Sequence, residues 1–335
     1  MRSIRIDTAG PHTTIQDKGR GGYQALGMPE GGVLDRDAMR LGNALVGNPE
    51  EAAVLEICLG GLGVELLAPA RVALTGTGEG HLVVSDDSGM ALQVPANRSV
   101  DLIAGQKIRL GPLTDTNTVT LAVSGGIATP LLYGSRGTSP NAGIGGVDGG
   151  VLKDGMILPL GDPAETEAPE WQGGDLMTGD VTMIRACAGP QDDRFTEEAL
   201  ALFFEAPFTV TPMLNRMGMR LEGPGLRHID NADIPSDGIV TGSVQVPGNG
   251  QPIILLADHQ TTGGYTKIAT VISTDLPRLA RLRPGTAVHF TQVTVAEAET
   301  IARDHEARVQ AMLARLAPAP AMFDQAALYR LGDTT

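Results

Sequence analysis

The chain has 335 residues, 42% of them hydrophobic and 19% charged, a balance that excludes wholesale disorder. A formal net charge of −14 argues against a nucleic-acid-binding or anionic-membrane surface, because like charges repel. Forty-four Gly and 22 Pro, with no period or low-complexity tract, read as many tight turns between short strands.

The opening MRSIRIDTAG holds no apolar run of about seven residues, and no run anywhere reaches about 18. The expectation is a soluble, cytoplasmic protein. Ile4 to Asp7 reads as a first strand, followed by the turn-rich AGPHTTIQDKGRGGYQALGMPEGG. Asp35 is placed to cap a helix in which Ala38, Leu41 and Leu45 share a face, with Gly47-Asn48 ending it. From Ala53 to about Leu160 the segments AVLEIC, GVELLAP, RVALTG, HLVVSD, QKIRLG and TVTLAV read as short strands of a barrel or compact sandwich. The acidic, Pro- and Gly-bearing DPAETEAPEWQGGDLMTGD reads as a linker.

Strands resume at VTMIRACAGP, FTVTP, MRLEG, GIVTGSVQV, PIILLAD, KIATVIS and AVHFTQV. Thr196 caps a helix that stops before Pro207, and a short helix spans roughly Asp275 to Leu282. Val295 to Leu316 reads as an amphipathic helix on Ile301, Val309, Met312, Leu313 and Leu316, with APAPAMF a linker-like end. The fold class is mainly β with a few helices. Residues 1–161 are expected to form one β-rich subdomain, 162–180 a linker, 181–295 a second β-rich subdomain, and 296–335 a terminal helix and tail.

No phosphate-cradling G-x-x-x-x-G-K-[ST] loop and no G-x-S-x-G elbow occur. GTGEG at Gly76–Gly80 lies between strands instead of opening a helix, which argues against a nucleotide fingerprint. The histidines lack metal-ligand spacing, so no metal site is expected. Cys58 and Cys187 each sit in an apolar run and read as reduced core thiols.

Polar density marks four turn-rich segments. In Gln245 to Thr270, Asp258, Gln260, Thr261, Thr262 and Tyr265 crowd around Gly263-Gly264. This reads either as a hairpin with solvated side chains or as backbone N–H groups offered to a carboxylate, carbonyl or phosphate. LNRMGMRLEGP supplies Asn215, Arg216 and Arg220; Arg216 pairs either with a substrate carboxylate or with Glu222 or another nearby acid. TIQDKGRGG carries Gln16, Asp17, Lys18 and Arg20, and GSRGTSPNAGIGG offers hydroxyl and backbone donors. Each of these two also reads as an ordinary surface loop.

The blocks TTIQDKGRGGYQALGMPEGGVLDRDAMRLGNALVGN, NRMGMRLEGP and IPSDGIVTGSVQVPGNGQPIILLADHQTTGGYTKIATVISTDLPRLARLRPG resemble the family of prokaryotic 5-oxoprolinase C subunits. That family is also described as KipI antagonist or allophanate-hydrolase subunit 2, and it shares its pattern with urea-carboxylase-type biotin-dependent carboxyltransferases. The resemblance covers about residues 3–295. It implies a C-terminal cyclophilin-like barrel and one half of a joint site with a KipI-like B subunit. There ATP, shared with that partner, activates the lactam of 5-oxoproline, and a LamB/YcsF-like A subunit completes ring opening to glutamate. A homo-oligomer fits as well. The alternatives are a carboxyltransferase fed by biotin on an external carrier, and a non-enzymatic regulator that binds the KipI-like protein. Asp258, Gln260, Tyr265 and Arg216 are the expected catalytic residues. Gln16, Asp17, Arg20, Asn215, Gln245, Thr261, Thr262, Gly263 and Gly264 are the expected substrate-binding residues. The chain departs from the family pattern at Leu214 (usually a small hydroxyl residue), His259 (usually Arg), Gly149-Gly150 (usually Gly-Arg) and Gly155-Met156 (usually Gly-Asp).

Overall fold

The computed structural model describes residues 1–86, 89, 91–164, 168–177, 179–320 and 322. Parts of the expected linker (165–167, 178) and tail (321, 323–335) lie outside the described residues. The first half is built from β1 (Ser3–Thr8), β2 (His12–Gln16), β3 (Val54–Cys58), β4 (Gly63–Leu66), β5 (Ala70–Thr75), β6 (His81–Ser85), β7 (Ala91–Pro95), β8 (Ser99–Leu102), β9 (Lys107–Leu110), β10 (Thr118–Val123) and β11 (Ile157–Pro159). They form two sheets, ordered β11-β1-β4-β9-β6-β7 and β2-β3-β10-β5-β8. Alternate residues of each point into one core: Ile4, Ile6, Val64 and Ile108 from the first, Leu55, Ile57, Val72 and Leu121 from the second.

β10 is buried at every residue, because α1 (Arg36–Leu45) covers the outer face of its sheet. Leu41 and Leu45 pack there on Val54, Ala73 and Ala122. Gly42 is needed in α1: a Cβ would lie 3.1 Å from both Ala122 Cβ and Thr75 Oγ1. The Asp35 carboxylate accepts from Ala38 N at 2.9 Å, the expected cap.

The acidic stretch read as a linker contributes β12 (Trp171–Gln172), which pairs with β22 (Ala317–Pro318) beyond the last helix. The second half is a closed barrel in the order β13 (Met183–Ala188), β20 (Lys267–Val271), β17 (Ser243–Gln245), β18 (Ile253–Leu255), β15 (Gly218–Glu222), β14 (Phe208–Leu214), β21 (Ala287–Gln292). Helix α2 (Glu197–Glu205), capped by Thr196, seats Phe203 against Phe290 with ring centroids 4.4 Å apart. A polar two-stranded ribbon of β16 (Asp233–Gly238) and β19 (Thr262–Tyr265), separated in the chain by β17 and β18, forms a sheet of its own beside the barrel. Helices α3 (Leu276–Arg281) and α4 (Val295–Leu313) flank β21, and α4 buries Val309 beside α1. No helix among the described residues is long and apolar enough to cross a membrane.

Candidate functional site

The two halves meet at a buried ion cluster. Glu56 is an acid in the apolar strand β3, 0% exposed, and such a charge requires a partner. Arg216, in the turn between β14 and β15, supplies it. Its Nη1 donates to Glu56; Nε and Nη2 donate to the Asp258 carboxylate at 2.9 and 3.0 Å; Nη2 also donates to Gly32 O at 2.7 Å. Burial pulls the guanidinium pKa down, but Glu56 and Asp258 outweigh it and the net direction is up. The nearby acid that Arg216 takes is thus Asp258 with Glu56, not Glu222. Four of its five N–H groups are spent inside the protein.

Beside this cluster lies a socket at the end of β2. The Asp17 carboxylate accepts from Ser135 Oγ at 2.5 Å, Arg136 N at 2.6 Å and Gly19 N at 2.9 Å, fastening the 134–146 loop. Gln16 Nε2 donates to Thr138 O at 2.8 Å, which leaves its Oε1 without a protein partner. Arg20 is 1% exposed. One Nη2 N–H donates to Gly137 O, while Nε and Nη1 have no protein acceptor, and neither Thr138 Oγ1 nor Ser139 Oγ has a partner. Burial lowers the Arg20 pKa against the pull of Asp17 and Asp258. An unmet buried donor costs about 1–3 kcal/mol, more when charged, so these groups are able to take an oxygen ligand.

Glycines admit the guanidinium. A Cβ on Gly145 (φ +74°) would strike Gly137 O and come within 2.7 Å of Arg20 Nη2. A Cβ on Gly31 (φ +66°) would stand 3.4 Å from Arg20 Nη1 and 3.6 Å from Asp258 Oδ1. Gly31 also lines a cleft of ≈ 690 Å³ between α1, α4 and the segment leading into α3. The cleft walls carry Lys18, Arg40, Glu50, Glu51 and Glu306, all engaged in ion pairs.

On the barrel side, His259 follows Asp258 and is completely buried. Its Nδ1 lies 2.5 Å from Gln260 O, and its Nε2 has no protein partner. Gln245 Nε2 is likewise buried and unpaired, under the place where a Gly263 Cβ would come within 2.7 Å of it. Among the described residues no group of His, Cys, Asp and Glu is arranged to hold a metal ion.

Residues 26–292 match the family model described as "Carboxyltransferase domain, subdomain A and B". The chain is 39% identical to the 5-oxoprolinase C subunit of Escherichia coli over 93% of its own length and 98% of that protein's. This chain belongs to the carboxyltransferase domain family. It is also 33% identical to the 5-oxoprolinase C subunit of Haemophilus influenzae, over 88% of its own length and 92% of that protein's. The crystal structure of the K. lactis urea amidolyase has the same fold, with a TM-score of 0.84 at 24% identity over 92% of this chain. The chain spans only 20% of that much longer polypeptide.

Within this member of the carboxyltransferase domain family, five expected residues converge at the junction: Arg216, Asp258, Arg20, Gln16 and Asp17. Gln245 and Gly263 adjoin each other on the barrel side. Asn215 is occupied elsewhere, its Oδ1 accepting from Met217 N at 2.8 Å and Gly218 N at 3.2 Å to close its own turn. Gln260, Thr262 and Tyr265 are exposed at or on the β16–β19 ribbon, with Thr261 and Gly264 half-buried there. Sequence reasoning did not single out Glu56, and it marked the hydroxyls of GSRGTSPNAGIGG without naming Thr138 or Ser139. A lone Glu inside AVLEIC was the available signal for the first, because a charge in an apolar run demands a buried partner.

Proposed function

We propose that this chain is the C subunit of an ATP-dependent 5-oxoprolinase and shares one active site with a KipI-like B subunit. A LamB/YcsF-like A subunit then completes ring opening to glutamate. The observation that carries this reading is the 39% identity to the E. coli C subunit over nearly its whole length. The Arg20 socket supports it chemically. As the lactam oxygen attacks the γ-phosphorus of ATP, an O–P bond forms and the bond to the ADP leaving oxygen breaks. The free Nε and Nη1 of Arg20 donate to the oxygens that carry charge, and Gln16 Oε1 accepts the lactam N–H. Arg216 is the fixed counter-charge that holds Asp258 and Glu56 in place. Four of its five N–H groups are already spent, so the phosphate clamp is assigned to Arg20.

The family's description favours one second reading. As a carboxyltransferase, the chain would use the same Arg20 donors on the ureido oxygen of biotin held by an external carrier. The test is to assay the chain with and without its KipI-like partner for 5-oxoproline-stimulated ATP hydrolysis, adding the LamB/YcsF-like protein to release glutamate. No stimulation sinks the first reading. Avidin-sensitive activity on a urea-like acceptor supports the second, and tight partner binding with neither activity points to a regulator.

A further inference from the structure

We infer that Thr138 is a further donor of the Arg20 socket, its hydroxyl donating to a non-bridging oxygen of the phosphoryl group that passes from ATP to the lactam. The inference rests on the 5-oxoprolinase reading and adds a residue to it. Thr138 lies in GSRGTSPNAGIGG, where Ser135 is already spent on Asp17 and Gly137 O on Arg20.

Its position is set from both sides. Thr138 N donates to Ile15 O at 2.8 Å, and Thr138 O accepts from Gln16 Nε2 at 2.8 Å, so its backbone is clamped to the end of β2. Its side chain then faces Gly146 (φ +58°), where a Cβ would strike Thr138 Oγ1. On the preceding residue, Gly145, a Cβ would come within 2.7 Å of Arg20 Nη2. Consecutive Cα atoms are about 3.8 Å apart, so the hydroxyl and the guanidinium abut one Gly-Gly dipeptide. On the other side of Thr138, a Cβ on Gly137 would stand 3.0 Å from Gln16 Oε1. A ligand in reach of Arg20 and Gln16 is therefore in reach of Thr138.

The chemistry agrees. Hydroxyls nearby are engaged: Thr13 Oγ1 donates to Ala9 O, Thr14 Oγ1 accepts from Gln16 Nε2, and Ser135 Oγ donates to Asp17. Thr138 Oγ1 is as buried as these and has no protein partner. Such a group costs about 1–3 kcal/mol until an acceptor arrives. Beside it, the Asp17 oxygens take three hydrogen bonds and the Asp258 oxygens take Arg216, so no carboxylate oxygen of the socket lacks a donor. A cationic donor set joined by a hydroxyl suits the charged oxygens of a phosphoryl group. In the transfer, a lone pair of the lactam oxygen forms the O–P bond, the pair of the breaking P–O bond leaves with ADP, and Thr138 keeps its proton. Ser139 also has an unpaired hydroxyl, but its backbone pairs with Ile144, not with β2.

The experiment compares wild type, Thr138→Val and Thr138→Ser in the assembled enzyme, reading kcat, the KM for 5-oxoproline and the melting temperature. Val keeps the shape and removes the hydroxyl; Ser keeps the hydroxyl. Thr138→Val is expected to lower kcat by roughly 10²-fold, as for loss of one oxyanion donor. Its KM for 5-oxoproline should change by less than about threefold, because the contact is made to the phosphoryl group. It should melt at or above wild type, since an unmet buried group is removed. Thr138→Ser should return kcat to within roughly tenfold of wild type. A Val variant with full kcat overturns the proposal, and so does a Ser variant as slow as Val. A Val variant that melts well below wild type overturns it too, because the hydroxyl then serves the fold. If wild type shows no 5-oxoproline-stimulated ATP hydrolysis, the functional reading fails and takes this role with it. That outcome is distinct from active wild type beside an equally active Val variant.

Discussion

Replacing Arg216 with Met removes the one cation between Glu56 and Asp258, whose side chains are 0% and 1% exposed. The substitution deletes four hydrogen bonds and leaves two carboxylates facing each other out of reach of water. Breaking a buried pair in this way costs about 3–5 kcal/mol, nearly all of it the desolvation of the charges left behind. For a chain of this size that is a fall of roughly 4–7 °C in melting temperature. Thermal unfolding followed by circular dichroism reads it directly. The triple variant Arg216→Met, Glu56→Gln, Asp258→Asn has no orphaned charge. The amide oxygen introduced by Glu56→Gln can still accept from Leu34 N, so at least half of the loss is expected back. A single variant melting within about 1 °C of wild type would refute the reasoning, since it would mean that water reaches the cluster. The folded triple variant also separates roles. If it has lost turnover, the charges of the cluster contribute to the chemistry beyond holding the two halves together.

Four further outcomes are expected. Arg20→Gln should lower kcat/KM by about 10²–10³-fold in the assembled enzyme, with a melting temperature unchanged or raised, because unmet buried donors are removed. Gly145→Ala should abolish turnover, since the methyl meets Gly137 O and crowds Arg20 Nη2; steady-state kinetics beside a melting curve check it. The Cys58 thiol, pushed up to about 11 chiefly by burial, should resist a thiol reagent at pH 8 in the native chain and react in denaturant. Glu306, lowered to about 2 chiefly by the Arg40 hydrogen bond, links α4 to α1. A depressed carboxylate contributes stability above its ordinary pKa and loses it as pH falls toward the depressed one. Glu306→Gln should therefore cost under about 1 kcal/mol at pH 7, the pair being half-exposed, and the gap from wild type should close between pH 4.5 and about 2.

The parts of the fold that were legible are those that local chemistry decides. Asp35 and Thr196 cap the helices they were expected to cap, because a side-chain oxygen at the N-cap reaches an N–H of the first turn that has no partner within the helix. TVTLAV is apolar or β-branched throughout and forms a central strand buried on both faces. β2 was lost among turn residues. Its HTTIQ carries no apolar alternation, and it is a strand because all five of its residues pair with β3. The β16–β19 ribbon was hidden for a similar reason: its residues are polar and its strands are not neighbours in the chain, and Lys267 and Gln191 anchor Asp237 from distant segments.

The candidate site shows the same limit more sharply. Polar density located QDKGR and ADHQTTGG, yet the density of the second segment divides between a buried turn and an exposed two-stranded ribbon, which no local signal separates. What assembles the site is pairing across 160 residues between Glu56 and Arg216. A second buried arginine repeats the device: Arg281 on α3 donates from Nε to the α1 cap Asp35 at 2.7 Å and engages Asp175 from the segment before the barrel. Each arginine comes from the barrel half and takes a carboxylate from the other half. Separated, the sandwich half would keep Glu56 and Asp35 without cations, and the barrel would keep Arg216 with only Asp258. The halves are therefore bound by a requirement for neutrality that neither meets alone.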